Sequence, residues 1–257
     1  MRKPSIIALC GKGGVGKTSI SAMMVGLLAR ANGRRVLAID ADPAVGLAAA
    51  LGITVRRSVD DIRKDLIAGI QKGRGEDARE VARRLDYDLF DALEQGEGFS
   101  FLAIGRPEDE GCYCRVNSLL KDIISDLAGR FDIVLIDGEA GVEQINRRVM
   151  KTVDCLLLVS DTSAKGVSVA ETIARVASVN RAVDFKAMGL VLNRVRSAAE
   201  VENIRSRSSL DIYGWILEDD LIRDFDFHGR QLTLMPGSSP ALGSVVAILE
   251  KMNLPAR

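Results

Sequence analysis

The stretch Gly11-Lys12-Gly13-Gly14-Val15-Gly16-Lys17-Thr18 constrains this chain more than any other, because it works in only one kind of setting. An apolar run, Ile6-Ile7-Ala8-Leu9-Cys10, precedes it, and a helix-like segment from Ser19 to Ala31 follows. The spacing Gly11-x4-Gly16-Lys17-Thr18 between a strand and a helix is that of a Walker A phosphate loop. Glycines let the backbone curl until successive N–H groups face one anion, and the helix N-terminus adds the positive end of its dipole. In such a loop Lys17 reaches the β- and γ-phosphates and the Thr18 hydroxyl holds Mg2+. Gly13, Gly14, Val15, Gly16 and Ser19 are the further expected nucleotide contacts. The motif therefore predicts a nucleoside triphosphate site with Mg2+.

A loop of this kind needs a sheet behind it, and the chain supplies one. The first helix should stop at Asn32-Gly33, a left-handed stop signal. Arg35 to Asp40 reads as a buried parallel strand, being almost continuously apolar. Further strands are expected at Phe99–Ile104, Phe131–Asp137, Cys155–Ser160, Ala187–Leu192 and Ile212–Leu217. Helix-like segments lie at Asn117–Ala128, Val142–Thr152, Val167–Asn180 and Ala241–Met252. Alternating strands and helices predict an α/β fold with a doubly wound, mostly parallel sheet flanked by helices and ligands at the strands' carboxyl ends. At 257 residues and 47% hydrophobic content, one domain over 1–257 accounts for the whole chain. Residues 56–98 are the least regular part. Charge-rich pieces such as Arg63-Lys64-Asp65 read there as solvated faces of a helical surface insertion.

Charge narrows the partners. Lys+Arg 35 against Asp+Glu 35 gives no net charge, which argues against a nucleic-acid coat protein. No apolar run approaches membrane-spanning length, so no membrane partner is expected. Met1-Arg2-Lys3-Pro4 leads directly into the first strand, so no secretory leader is expected, and four cysteines then suggest reduced thiols in a cytoplasm. Cys10 and Cys155 begin or end apolar strands and read as core residues. Trp215 is expected to pack at the end of the last strand, and His228 to serve in a loop.

The polar motifs follow strand ends. Asp40-Ala41-Asp42-Pro43 offers two carboxylates that can bind Mg2+ through water or position an attacking water. It can equally be a helix start, with Pro43 at the first position. Ile133-Val134-Leu135-Ile136-Asp137 has the form of a Walker B strand delivering Asp137 to the Mg2+ shell. Asn193-Arg194 ends another strand, where a side-chain amide can pair with an adenine edge. Cys112-Tyr113-Cys114 places two thiols one residue apart, able to ligate a soft or borderline metal such as Zn2+ or Ni2+. Closed sites need four ligands, which a twofold dimer would complete. A redox dithiol and coincidence are the alternatives on the residues alone.

The second lysine, Lys12, makes KGGVGKT resemble the signature of the deviant Walker A ATPases. The D-x-D-P segment, the run Asp137-Gly138-Glu139-Ala140-Gly141-Val142-Glu143 and Asn193-Arg194 are similar to further motifs of that family. Gly111 to Leu120 resembles the C-Y-C-R-x-N-S segment of its CooC type, the ATPases that assist nickel insertion into carbon monoxide dehydrogenase. The resemblance implies ATP hydrolysis to ADP by a nucleotide-sandwich homodimer. Lys12 would reach the partner's phosphates, Asp42 would orient the hydrolytic water, and Gly141 would let the second switch follow the γ-phosphate. Asn193 and Arg194 would sit on the adenine side. Cys112 and Cys114 of two subunits would hold Ni2+ or Zn2+. The implied client is carbon monoxide dehydrogenase or acetyl-CoA synthase. Glu139 departs from the small or apolar residue expected there, and Gly214 to Asp219 lacks an expected Ile-Pro. The rival within the family is a MinD- or ParA-type spatial organiser acting by surface binding. An iron–sulfur reductase is disfavoured, because Asp137 to Glu143 contains no cysteine.

Overall fold

A computed structural model describes residues 4–31, 33–72, 78–106, 114–139, 141, 145–146, 149–179 and 183–254. Eight strands form one sheet in the order β3-β4-β2-β5-β1-β6-β7-β8. They are β1 (Ser5–Cys10), β2 (Val36–Asp40), β3 (Glu94–Gly96), β4 (Phe99–Ala103), β5 (Ile133–Asp137), β6 (Thr152–Ser160), β7 (Asp184–Val195) and β8 (Ile212–Leu217). All pairings are parallel except that of the short edge strand β3 with β4.

The expected doubly wound α/β architecture is the observed one. Successive strand residues face opposite sides, so each central strand feeds two cores. Ile7 and Leu9 of β1, with Ile133 and Leu135 of β5, belong to one cluster. Ala8 and Cys10, with Val134 and Ile136, belong to the other. The first face is covered by α1 (Lys17–Arg30), α2 (Gly46–Leu51), α8 (Asp220–Phe227), a 3-10 turn at Leu232–Leu234 and α9 (Pro240–Lys251). The second is covered by α3 (Val59–Gln71), α4 (Ala78–Asp91), α5 (Cys114–Ala128), α6 (Ala164–Val179) and α7 (Ala198–Arg207). Burial of these faces supplies the main driving force for folding.

Residues 56–98 supply α3, α4 and β3. Val59, Ile62 and Leu66 of α3, with Leu85 and Leu89 of α4, recur at helical spacing and are buried in the same cluster as the sheet. Ser58 caps α3: its hydroxyl accepts from Asp61 N at 3.3 Å, while Asp61 Oδ2 accepts from Ser58 N at 2.8 Å. Arg63 corrects the expectation of a solvated face. It is only 7% exposed, lying 3.3 Å from Asp60 Oδ1 and donating to Asn117 Oδ1 at 3.1 Å, because the first turn of α3 faces the start of α5.

Several boundaries moved. Of the helix expected at 142–152, residues 142–144 and 147–148 lie outside the described residues, Ile145 and Asn146 are helical, and Thr152 opens β6 instead. Strand β6 starts three residues early because Val153 is fully buried and Asp154 Oδ2 accepts from Ile6 N at 2.9 Å. Trp215 is 41% exposed, since it lies on the face of the terminal strand β8 opposite to the buried Ile216. Cys10 is a core residue as expected, whereas Cys155 is half-buried. Among the described residues, no helix is long and apolar enough to cross a membrane.

Candidate functional site: a nucleotide cradle at the strand ends

The carboxyl ends of β1, β2, β5 and β7 converge on the loop between β1 and α1. Gly11, Gly14 and Gly16 all have positive φ, at 155°, 80° and 93°. Gly11 has a second reason to be glycine: a Cβ there would lie 2.2 Å from Val159 O of β6. The curl turns Lys17 inward, where it is 7% exposed and donates to Gly11 O at 3.0 Å and Lys12 O at 3.3 Å. A buried ammonium held by carbonyls of its own loop is a cation ready to exchange those oxygens for phosphate. Lys12 is half-buried, whereas Gly13 and Gly14 are exposed.

Opposite the loop stand two buried carboxylates. Register pairs Asp40 of β2 with Asp137 of β5, so both side chains emerge together at the carboxyl end of the sheet's centre. Asp40 is tied down by two backbone donors, Asp42 N at 3.1 Å and Leu47 N at 2.8 Å. Burial, and then the charge of Asp137, push its carboxyl up to about 7. Asp137 Oδ1 accepts from the buried Ser21 hydroxyl at 3.0 Å, while Oδ2 is buried and has no hydrogen-bond partner among the described residues. Burial pushes Asp137 up to about 6, against the lowering effect of the Thr18 and Ser21 hydroxyls and the Lys17 ammonium. An orphaned buried carboxylate oxygen near a threonine hydroxyl is the donor set that a hard, oxygen-seeking cation requires, so these residues fit Mg2+. Ser21 escaped the motif reading. Its position one helical turn after Lys17 and Thr18 was the available signal.

The Asp40-Ala41-Asp42-Pro43 segment does not start a helix at Pro43. Helix α2 begins at Gly46, after Val45 in the left-handed region at φ 52°. Such a conformation is strained for a β-branched residue. Asp42 is half-buried, and its Oδ1 accepts from Ala44 N at 2.9 Å in a side-chain turn. Gly46 lies beside Thr18, within 3.7 Å of its Cγ2 for a built Cβ, so this segment abuts the phosphate loop.

Gly138 brings the run that follows β5 close to β1. Its N–H donates to Leu9 O at 2.9 Å, and a Cβ there would meet the same oxygen at 2.6 Å. Glu139 and Gly141 are half-buried, and a Cβ on Gly141 would meet open space. Ala140, Val142 and Glu143 lie outside the described residues. So does Cys112; of Cys114, the structure describes only its place as the first residue of α5. Among the described residues, no group of three or more His, Cys, Asp or Glu could hold a metal ion.

Main-chain bonds link the ends of β2 and β5 to the residues that flank the 107–113 segment. Ala41 N donates to Asp137 O, Ile104 N to Asp40 O, and Asp60 N to Ile104 O, at 2.9, 2.9 and 3.0 Å. Asp60 pairs with Arg63, which holds Asn117 on the other side. Asn193 is 5% exposed; its Nδ2 donates to Val15 O at 2.8 Å and its Oδ1 accepts from Arg194 N at 2.9 Å. Arg194 is exposed in the left-handed region at φ 56°.

Comparison with known proteins follows the same lines. Residues 6–232 match the CobQ/CobB/MinD/ParA nucleotide binding domain. An uncharacterized ATP-binding protein of Methanocaldococcus jannaschii is 33% identical over 252 residues, covering 96% of this chain and 98% of that protein. The carbon monoxide dehydrogenase accessory protein CooC of Rhodospirillum rubrum is 31% identical over 236 residues, 87% of each chain. Among solved structures, the septum site-determining protein MinD of Pyrococcus horikoshii, complexed with Mg-ADP, superposes with a TM-score of 0.69. It covers 97% of this chain and 96% of its own at 21% identity, a likeness of fold.

Proposed function

Since the chain belongs to the CobQ/CobB/MinD/ParA nucleotide-binding family, we propose that it is an ATP-hydrolysing metallochaperone acting as a nucleotide-sandwich homodimer. Its task is nickel insertion into carbon monoxide dehydrogenase or acetyl-CoA synthase. The observation that carries this reading is the similarity to CooC over 87% of the chain, joined to the Cys112-Tyr113-Cys114 segment.

The mechanism rests on this chain's own groups. Lys17 leaves the carbonyls of Gly11 and Lys12 for the β- and γ-phosphates, and the N–H groups of Gly13 to Ser19 surround them. Thr18 and Asp137 are the residues that would hold Mg2+, which offsets phosphate charge when bound. Asp42, half-buried beside the loop, exchanges its bond with Ala44 N for an attacking water. Lys12 crosses to the partner's phosphates, and Gly141 lets the second switch follow the γ-phosphate. Asn193 and Arg194 flank the base. The backbone contacts from Asp40 through Ile104 to Asp60 give the nucleotide state a route to the segment bearing Cys112 and Cys114. For ATP to control metal release, the two nucleotide states must differ in metal or client affinity.

The test is metal analysis of size-separated protein with and without ATP. One Ni2+ or Zn2+ per dimer, lost in Cys112→Ser/Cys114→Ser, is expected; one metal per monomer, or unchanged binding in that variant, would overturn the interfacial site. A surface-acting organiser of the MinD or ParA kind shares this fold. Here the apolar side of α9 (Ala241, Leu242, Val245, Ile248, Leu249) is buried against the sheet, unlike a helix that inserts into lipid. Co-sedimentation with liposomes or DNA in the presence of ATP would favour that rival.

A further inference from the structure

Asn193 is held in a way that base recognition alone does not require. The pairing of β7 with β8 shifts register between Leu192 and Val195, and Arg194 inside that irregularity is left-handed. Bulges of this kind re-aim side chains. Here the Arg194 N–H closes onto Asn193 Oδ1, and the amide turns under the phosphate loop to donate from Nδ2 to Val15 O, across 178 residues of sequence. The loop is shaped to receive it. A Cβ on Gly16 would come within 2.3 Å of that nitrogen.

A side-chain amide has two donor hydrogens and two acceptor lone pairs. Asn193 uses one of each, leaving one N–H and one lone pair. These complement the N7 acceptor and N6 donor of an adenine edge. The same side chain can therefore read a base while keeping its grip on the loop.

We propose that Asn193 is a positioning residue for the phosphate loop: its bond to Val15 O fixes the curl of Val15-Gly16-Lys17, so phosphate affinity depends on Asn193 even where no base is present. The proposal rests on the nucleotide site and is independent of the metal and client reading. It also makes the adenine side and the phosphate side one unit, since a contact that orders Asn193 orders the loop as well.

Two measurements test it. In the ligand-free protein, Asn193→Asp keeps the size and the acceptor for Arg194 N but removes the donor to Val15. Amide hydrogen exchange at Gly16 and Lys17 should then quicken about fivefold, the worth of one buried hydrogen bond. Exchange in β1 should stay unchanged. In the second measurement, inorganic tripolyphosphate with Mg2+ is titrated into wild type and Asn193→Ala, where a similar loss of affinity is expected. The proposal is overturned if loop exchange and tripolyphosphate affinity are unchanged while ATP binds more weakly, which would leave Asn193 a base contact only. An equal rise of exchange through β1 and the loop also overturns it, since that reports general loosening.

Discussion

Replacing Asp137 by Asn should stabilise the nucleotide-free protein at pH 8 while disabling Mg2+-dependent nucleotide binding. The carboxyl rises from an ordinary 3.8 to about 6, mainly through burial. A carboxyl raised by that amount costs the folded state ~3 kcal/mol once ionised. Between pH 3.8 and about 6 the folded state keeps a proton that the unfolded chain has released, so stability falls as pH rises through that window. Above it the full penalty persists. In Asp137→Asn the Oδ1 can still accept from Ser21, and the new nitrogen occupies the place of an oxygen that had no partner. That nitrogen needs an acceptor, for which the Thr18 hydroxyl is the nearby choice, so the realised gain should be ~2 kcal/mol. Asp40 should titrate lower as well, because the charge of Asp137 helps raise it. Urea denaturation with EDTA at pH 5 and pH 8 measures both effects. Equal stability of the two proteins at pH 8, or an unchanged dependence on pH, would refute the assignment of this penalty to Asp137.

Four further variants have defined outcomes. Arg63→Met should cost about 3 kcal/mol in urea denaturation, the low end for breaking a buried pair, because Lys64 remains 3.3 Å from Asp60 Oδ2; a loss below about 1 kcal/mol would mean that Asp60 is solvated. Lys17→Ala should abolish nucleotide binding, whereas Lys12→Ala should bind nucleotide but fail in ATP-driven dimerisation and hydrolysis, as read by sedimentation and phosphate release; normal values for Lys12→Ala count against its cross-subunit role. Asp42→Asn should retain Mg-ATP but turn it over slowly and accumulate closed dimer, and normal turnover would pass the hydrolytic role to Glu139.

What the sequence determined by itself was local. The loop's glycines, Lys17 and Thr18 are legible because a phosphate cradle is built from consecutive N–H groups and tolerates few residue types. The central strands are legible because a strand buried on both faces must be apolar almost throughout. Chain neighbours carry both signals, so no knowledge of the partner strands was needed. The tertiary structure decided the rest. Asp40 and Asp137 face each other only because β2 and β5 are adjacent and in register, and their raised pKa values come from that shared burial. Arg63 looked like a surface charge until α5 brought Asn117 against it. Trp215 was expected to pack at the end of the last strand, and its 41% exposure follows from where β8 lies in the strand order. Asn193 looked like a base contact, and only folding put its amide under a loop from the far end of the chain. Burial and pairing between distant residues are properties of strand order, which periodicity along one chain does not encode.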